Sequence, residues 1–414
     1  MAITLRPHQQ RALDAMNRYD KGQVIVPTGG GKTIIMIQDC IRQINKQSST
    51  IVVVAPRILL ANQLCDEFLQ FIDTNAVHVM HVHSGETHHF SSTKTDKIAL
   101  YNNTARVAGE SCIIFTTYHS LGRVVDSGID IDVAYFDEAH NSVSRSFFVP
   151  TAACSLHSKA AYFFTATPRT SRSSGRGMNN VDVYGNVICN VPAPELIEQG
   201  HILPPTIVPF ETDLTRTKHN VHDVDADTVR DIIDQLDETH AAKVLVAVPS
   251  SKILGNMISK TTLLMQLKER GYNVMHVTSK FGAIIDGVKV SREKFFDTLT
   301  AWGKEDGRKF IIFHYSILSE GINVPGLTHC ILLRNLNIVE MAQTIGRVIR
   351  LDKEDAAKLR SGQLTPCQWG FYNKPTGFVT VPVHKTYGAQ VIKRLQNVVD
   401  AIFVKGVPPL SIVA

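Results

Sequence analysis

The stretch Val24-Ile25-Val26-Pro27-Thr28-Gly29-Gly30-Gly31-Lys32-Thr33 constrains this chain more than any other. An apolar run leads straight into three consecutive glycines. A lysine and a threonine then open a segment with Ile34, Ile35, Ile37, Cys40 and Ile41 at helical spacing. This order reads as a buried strand, a turn that needs backbone freedom, and an amphipathic helix over 32–47. A parallel sheet with crossover helices is built from such units.

The same alternation continues along the chain. Strands are predicted at 24–26, 51–55, 77–82, 112–116, 133–136 and 161–165, with a second helix at 58–71. Prolines then interrupt it, at Val191-Pro192-Ala193-Pro194 and Leu203-Pro204-Pro205, ahead of a polar, charged segment over 211–227. That composition marks a domain joint. Strands resume at 243–248, 273–278, 310–314 and 330–333, and a last helix is predicted over 387–403. The expectation is two α/β domains in tandem, 1–208 and 209–375, followed by a helical tail over 376–414. Thr170–Asn180, rich in Ser, Gly and Arg, reads as a mobile loop.

A chain of 414 residues exceeds one ordinary core. Hydrophobic content of 44% and charged content of 20% suit a soluble globular protein, and no apolar run approaches the roughly 20 residues that span a bilayer. The seven cysteines include no Cys-x-x-Cys pair, which argues against a disulfide framework or a zinc site. With no apolar leader at the N-terminus, a cytoplasmic monomer without membrane contact is expected. A net charge of +5 is compatible with nucleic acid and too modest to establish it.

Glycines between a strand and a helix let backbone N–H groups converge on phosphate oxygens, and the helix adds its positive end. Lys32 would reach the β- and γ-phosphates, and the Thr33 hydroxyl would ligate magnesium. Val26 stands where the G-x-x-x-x-G-K-[ST] pattern has its first glycine. The alternative is a flexible turn that carries a lysine. Asp137 and Glu138 follow the apolar Val133-Ala134-Tyr135-Phe136. Two carboxylates at the end of a buried strand are costly unless a cation or hydrogen bonds satisfy them. Asp137 would hold magnesium through water and Glu138 would polarise an attacking water; the alternative is an acidic loop. The two motifs together imply hydrolysis of a nucleoside triphosphate.

At these residues the chain resembles the superfamily 2 helicases, in the branch lettered by Asp137-Glu138-Ala139-His140. The likeness runs from Leu5 to Arg350, with motifs in the family's order. It implies two RecA-like domains with ATP, accompanied by Mg2+, in the cleft between them. Leu5-Arg6-Pro7-His8-Gln9 resembles the adenine-reading element, implying Gln9 on the adenine edge and Arg6 nearby, with Thr28 through Thr33 on the phosphates. His140 and Thr165-Ala166-Thr167-Pro168 resemble motifs that couple hydrolysis to strand movement. Pro56 and Arg57, and Thr116 and Thr117 within Thr116–Leu121, resemble nucleic-acid contacts of the first domain, as Ser250 does in the second. Ser319–Pro325 is similar to a motif touching nucleic acid and nucleotide, implying Gly321 and Asn323 at the nucleotide. Many relatives carry Asp at the Asn323 position. Gln343–Arg350 resembles the arginine-finger motif: Gln343 couples, while Arg347 and Arg350, a helical turn apart, would point from one face into the cleft. Surface ion pairs are the usual alternative for such arginines.

The Leu5–Gln9 and Glu320-Gly321 segments and the 197–205 joint are similar to viral recombination-repair motors and restriction translocases. That implies DNA in preference to RNA and a viral or prokaryotic source. The expected activity is an ATP-dependent helicase or translocase. Its rivals are a duplex translocase that unwinds nothing and an ATP-gated annealing or binding protein. The histidines at 78, 81, 83, 88 and 89 lack acidic or thiolate partners in sequence and read as structural rather than metal-binding. Trp302 reads as helix core, and Arg169, Arg172 and Arg176 as either phosphate contacts or a solvated run.

Overall fold

The computed structural model describes residues 4–172, 175–236, 242–278, 280–315, 324–384, 388–409 and 411–413. It divides into two units, Met1–Val191 with Pro408–Ala414, and Pro192–Val407.

In the first unit the strands are β1 (Lys21–Ile25), β2 (Thr50–Ala55), β3 (Val77–Val82), β4 (Phe90–Ser91), β5 (Ser111–Thr117), β6 (Ile131–Phe136), β7 (Ser158–Thr165), β8 (Arg169–Ser171) and β9 (Val187–Asn190). Eight of them form one sheet in the order β4-β3-β5-β2-β6-β7-β1-β9. Every pair in it is parallel. Helices cover the faces of such a sheet, so β2, β5 and β6 are buried at every residue and read as continuous apolar runs. The helix Lys32–Lys46 is fastened from below, where Tyr135 Oη donates to the buried Asp39 carboxylate at 2.6 Å.

The second unit holds β10 (Pro205–Glu211), β11 (Lys243–Ala247), β12 (Asn273–Thr278), β13 (Gly282–Ile285), β14 (Val288–Val290), β15 (Phe310–His314), β16 (His329–Leu332) and β17 (Gly377–Val383). Their order is β10-β17-β16-β11-β15-β12-β13-β14. The strands are parallel up to β12, where an antiparallel hairpin closes the edge. Asp286 turns that hairpin with φ 48° and fixes it by accepting from Val274 N and Asn273 Nδ2, both at 2.8 Å.

The joint falls at Pro192 rather than at 208, because Pro205 already opens β10, an edge strand whose first residue can lack an N–H. The charged segment over 211–227 does not separate two domains either. It runs from the end of β10 into the helix Val221–Gln235, where the fully buried Asp225 takes both forks of Arg216 at 2.6 and 2.9 Å. Nor are residues 376–414 a separate tail. β17 lies between β10 and β16, and the helix expected over 387–403 runs as an α-helix over Ala389–Val399 and continues as a π-helical turn over Asp400–Val404. β18 (Ser411–Val413) returns to the first unit and pairs parallel with β8. The stretch read as a mobile loop therefore begins with a strand. Asn179 ties it, accepting from Ser171 N and donating to Ser171 O. Trp302 is half-buried on the helix Arg292–Lys304, with the Arg308 guanidinium 5.1 Å from its ring.

Among the described residues no helix is long and apolar enough to cross a membrane. Burial pushes His314 down to about 3, and His276 and His329 down to about 4. Folded, these rings stay neutral; unfolded, they take a proton below pH 6.5. Their contribution is complete above the unfolded value and is lost as pH falls from 6.5 towards 4. At pH 5 each such ring costs about 2 kcal/mol of stability. Urea unfolding at pH 7 and pH 5 should show this loss, and His314→Phe should remove one ring's share.

Candidate nucleotide and nucleic-acid site

β1 stops at Ile25, and Val26 continues the ladder by one bond, donating to Thr165 O at 3.0 Å. The chain then turns with Gly30 N donating to Pro27 O. Gly29 and Gly31 adopt φ of 86° and 80°, which explains two of the three glycines. Gly31 is the N-cap of the helix Lys32–Lys46 and supplies no side-chain cap, so the positive helix end opens onto the loop.

The segment from Arg6 to Gln9 is held against this loop. Gln9 Nε2 donates to Gly31 O at 3.3 Å, and Gln9 Oε1 accepts Arg6 N at 2.9 Å. A Cβ on Gly31 would stand 2.5 Å from Gln9 Nε2, the movable end of that side chain, so a side chain there would displace Gln9, while the φ of 80° is what favours glycine. His8, which the sequence reading passed over, is buried with Nε2 at 2.7 Å from Gly30 O. Thr28 and Thr33 are both half-buried.

Asp137 and Glu138 directly follow β6, at 8% and 6% exposure. Asp137 N donates to Val54 O, and Tyr118 Oη donates to Asp137 O at 2.9 Å. Glu138 has φ 45°, an uncommon conformation for a residue with a side chain, and its Oε1 lies 3.8 Å from Lys32 Nζ. Burial, and then the Glu138 carboxylate, push Asp137 above the ordinary carboxylate range, while Lys32 opposes them. Buried adjacent carboxylates with one nearby ammonium suit a hard divalent cation, and Thr33 sits in the first turn of the same helix as Lys32.

His140 joins this dyad to the Thr165-Ala166-Thr167 segment. Asn141 Nδ2 lies 3.4 Å from His140 Nε2. Nδ1 faces Thr165 Oγ1 at 3.0 Å, Thr167 Oγ1 at 3.3 Å and Glu138 Oε2 at 3.5 Å. Thr167 N closes the loop by donating to Thr165 Oγ1.

The expected polymer contacts fare unevenly. Arg57 is the N-cap of the helix Ile58–Leu69, directly after Pro56 at the end of β2. Thr116 and Thr117 are buried, and Thr116 Oγ1 donates to Val82 O, so these side chains serve the sheet and not a surface. The solvent-facing members of that segment are His119, exposed, and Ser120, half-exposed. Ser250 is an N-cap, its Oγ accepting from Ile253 N. His81 Nδ1 lies 2.9 Å from His83 Nε2, which is also 3.1 Å from Asn62 Oδ1. Among the described residues no three His, Cys, Asp or Glu side chains are grouped to hold a metal.

In the second unit, Gln343 and Arg347 are buried on the helix Ile338–Val348, which Asn337 and Glu340 start with a reciprocal cap. Arg350 lies beyond that helix, so it does not share a helical face with Arg347 as its spacing predicts; Ile349 is already the C-cap. The Arg350 carbonyl accepts from Lys374 Nζ at 2.8 Å. Gly321 and Asn323 lie outside the described residues.

Two family models match the sequence: the type III restriction enzyme res subunit over residues 2–170, and the helicase conserved C-terminal domain over 227–352. No curated protein matches it significantly. The structure is similar to that of the ATP-dependent Type ISP restriction-modification enzyme LlaBIII bound to DNA. The TM-score is 0.72 at 14% identity, covering 100% of this chain and 31% of that one. It is similar as well to a nuclease-deletion mutant of the Type ISP enzyme LlaGI in complex with a DNA substrate mimic, with TM-score 0.59, 15% identity, and 99% and 30% coverage. A fragment of a proposed HsdR subunit of a type I restriction enzyme from Vibrio vulnificus YJ016 gives 0.62 at 17%, covering 100% and 69%. The chain thus spans about a third of the length of the first two. With its ordered motifs, one parallel sheet and one largely parallel sheet, and both matching models, the chain belongs to the superfamily 2 helicases and is related to the type III restriction-like enzymes.

Proposed function

We propose that the chain is an ATP-driven motor acting on nucleic acid, DNA in preference to RNA. The observation that carries this reading is His140 Nδ1, where Glu138 Oε2 of the dyad and the Thr165 and Thr167 hydroxyls of the next loop converge at 3.5, 3.0 and 3.3 Å. A group that only bound nucleotide would not need its water-polarising carboxylate linked to a second loop. A motor needs that link, because hydrolysis has to change something elsewhere.

In this reading the Gly29–Gly31 turn, Thr28 and the helix end bind the phosphates, and Lys32 stabilises the charge that develops on the γ-phosphate. Thr33 and Asp137 would hold Mg2+, which would neutralise charge on the phosphates when bound. Glu138 takes the proton of the attacking water. Gln9 has used one N–H and one lone pair internally, so one of each is left for an adenine edge, with Arg6 beside it. Arg347 and Arg350 would supply cationic charge at the transition state, Gln343 would couple, and Gly321 and Asn323 would contact the nucleotide, as the family resemblance implies. Polymer contacts at Pro56, Arg57, His119, Ser120 and Ser250 would be mainly to backbone and therefore weakly sequence-specific and salt-sensitive. DNA is favoured because the LlaBIII and LlaGI structures hold it.

ATP turnover measured with matched single- and double-stranded DNA and RNA at saturation tests the reading. DNA is expected to raise the basal rate more than RNA. A rate unchanged by all four rejects the motor. The same reactions on a forked duplex and on a triplex tell unwinding from translocation alone.

A further inference from the structure

Tyr118 stands where three loops at the strand ends of the first unit meet. Its N–H donates to Ala55 O, the last residue of β2 before Pro56-Arg57. Its ring is buried to 1% exposure, 5.7 Å from Phe147 and 6.4 Å from Phe136, each at a shallow angle. Its hydroxyl donates at 2.9 Å to the carbonyl of Asp137, the peptide that joins the two carboxylate residues. The next residues, His119 and Ser120, face solvent.

A buried phenol needs a hydrogen-bond partner, and a strand carbonyl elsewhere would serve. Here the partner is the carbonyl just before Glu138, whose φ of 45° persists only if its surroundings over-determine it. Rotating the Asp137–Glu138 peptide swings the Glu138 carboxylate relative to Lys32. We propose that Tyr118 is the positioning residue through which nucleic acid, engaging the His119–Ser120 and Pro56–Arg57 loops, sets the Glu138 carboxylate. The inference rests on the motor reading above.

Tyr118→Phe removes the hydroxyl and keeps the ring. Turnover is compared with and without saturating DNA, alongside ATP KM and a melting curve that shows the variant folded. The expected result is a stimulation ratio lower by about five-fold or more at unchanged KM. A ratio within about two-fold of the unmodified protein overturns the inference. That includes the case in which both rates fall together, as they would for a bond that is merely structural. If none of the four nucleic acids stimulates the unmodified protein, the motor reading has failed before any variant is made, and this inference falls with it.

Discussion

Glu138→Gln is expected to bind ATP as the unmodified protein does and to turn it over about 10²–10⁴ times more slowly, the range that a positioned general base supplies. The amide keeps the size of the carboxylate and its reach towards Lys32 and His140, 3.8 and 3.5 Å away. It cannot take a proton from water. The substitution also removes one of two adjacent buried anions, so Asp137 loses the neighbour that helps push it up. Nucleotide affinity should therefore hold or rise slightly while kcat collapses. Equilibrium binding of a fluorescent ATP analogue, run beside a phosphate-release assay, reads both quantities. Turnover within a few-fold of the unmodified rate would take the catalytic role away from Glu138.

Lys32→Ala is expected to differ from Glu138→Gln in losing binding as well as turnover. Lys32 is the first residue of its helix, after a left-handed Gly31, and its ammonium is the cation nearest the dyad. Removing it strips positive charge from the phosphate cradle and takes away the ammonium that opposes the rise of Asp137. Loss of one preorganised donor at a developing charge costs about 10²–10³ in kcat, and the weakened ground-state affinity adds to it. The same two assays separate the variants: retained analogue binding with no turnover for Glu138→Gln, and loss of both for Lys32→Ala. Tight nucleotide binding by Lys32→Ala would mean that the phosphates sit elsewhere.

Most central strands were legible in the sequence because burial on both faces leaves them as unbroken apolar runs; 77–82, 273–278 and 310–314 match the observed strands residue for residue, whereas β17, inside the second sheet, read as part of a helical tail. Edge strands were not. Phe90–Ser91 has two residues, and Val187–Asn190 buries only Cys189 and carries no strong apolar signal. Asp225 and Arg216 misled in the opposite way, because a buried ion pair has the composition of a linker. The phosphate loop and the acidic dyad were visible as local patterns. The His140 bridge to Thr165 and Thr167 rested on resemblance until coordinates brought the loops together. Tyr118 falls within the 116–121 motif, but its role is not legible there, since its partner lies 19 positions away and is a backbone atom. For Thr116 and Thr117 residue type was readable but burial was not.

Because Ser411–Val413 lies alongside Arg169–Ser171, the first unit is not one uninterrupted stretch of chain. A fragment cut after Val191 would bare the backbone edge of a strand that follows the Thr165–Pro168 loop by a single step, inviting self-association there. Residues 192–407 carry no such debt and are the better choice for isolating one half. Experiments on the other half will need the last few residues supplied, by fusion or as a peptide, before its behaviour is taken as native.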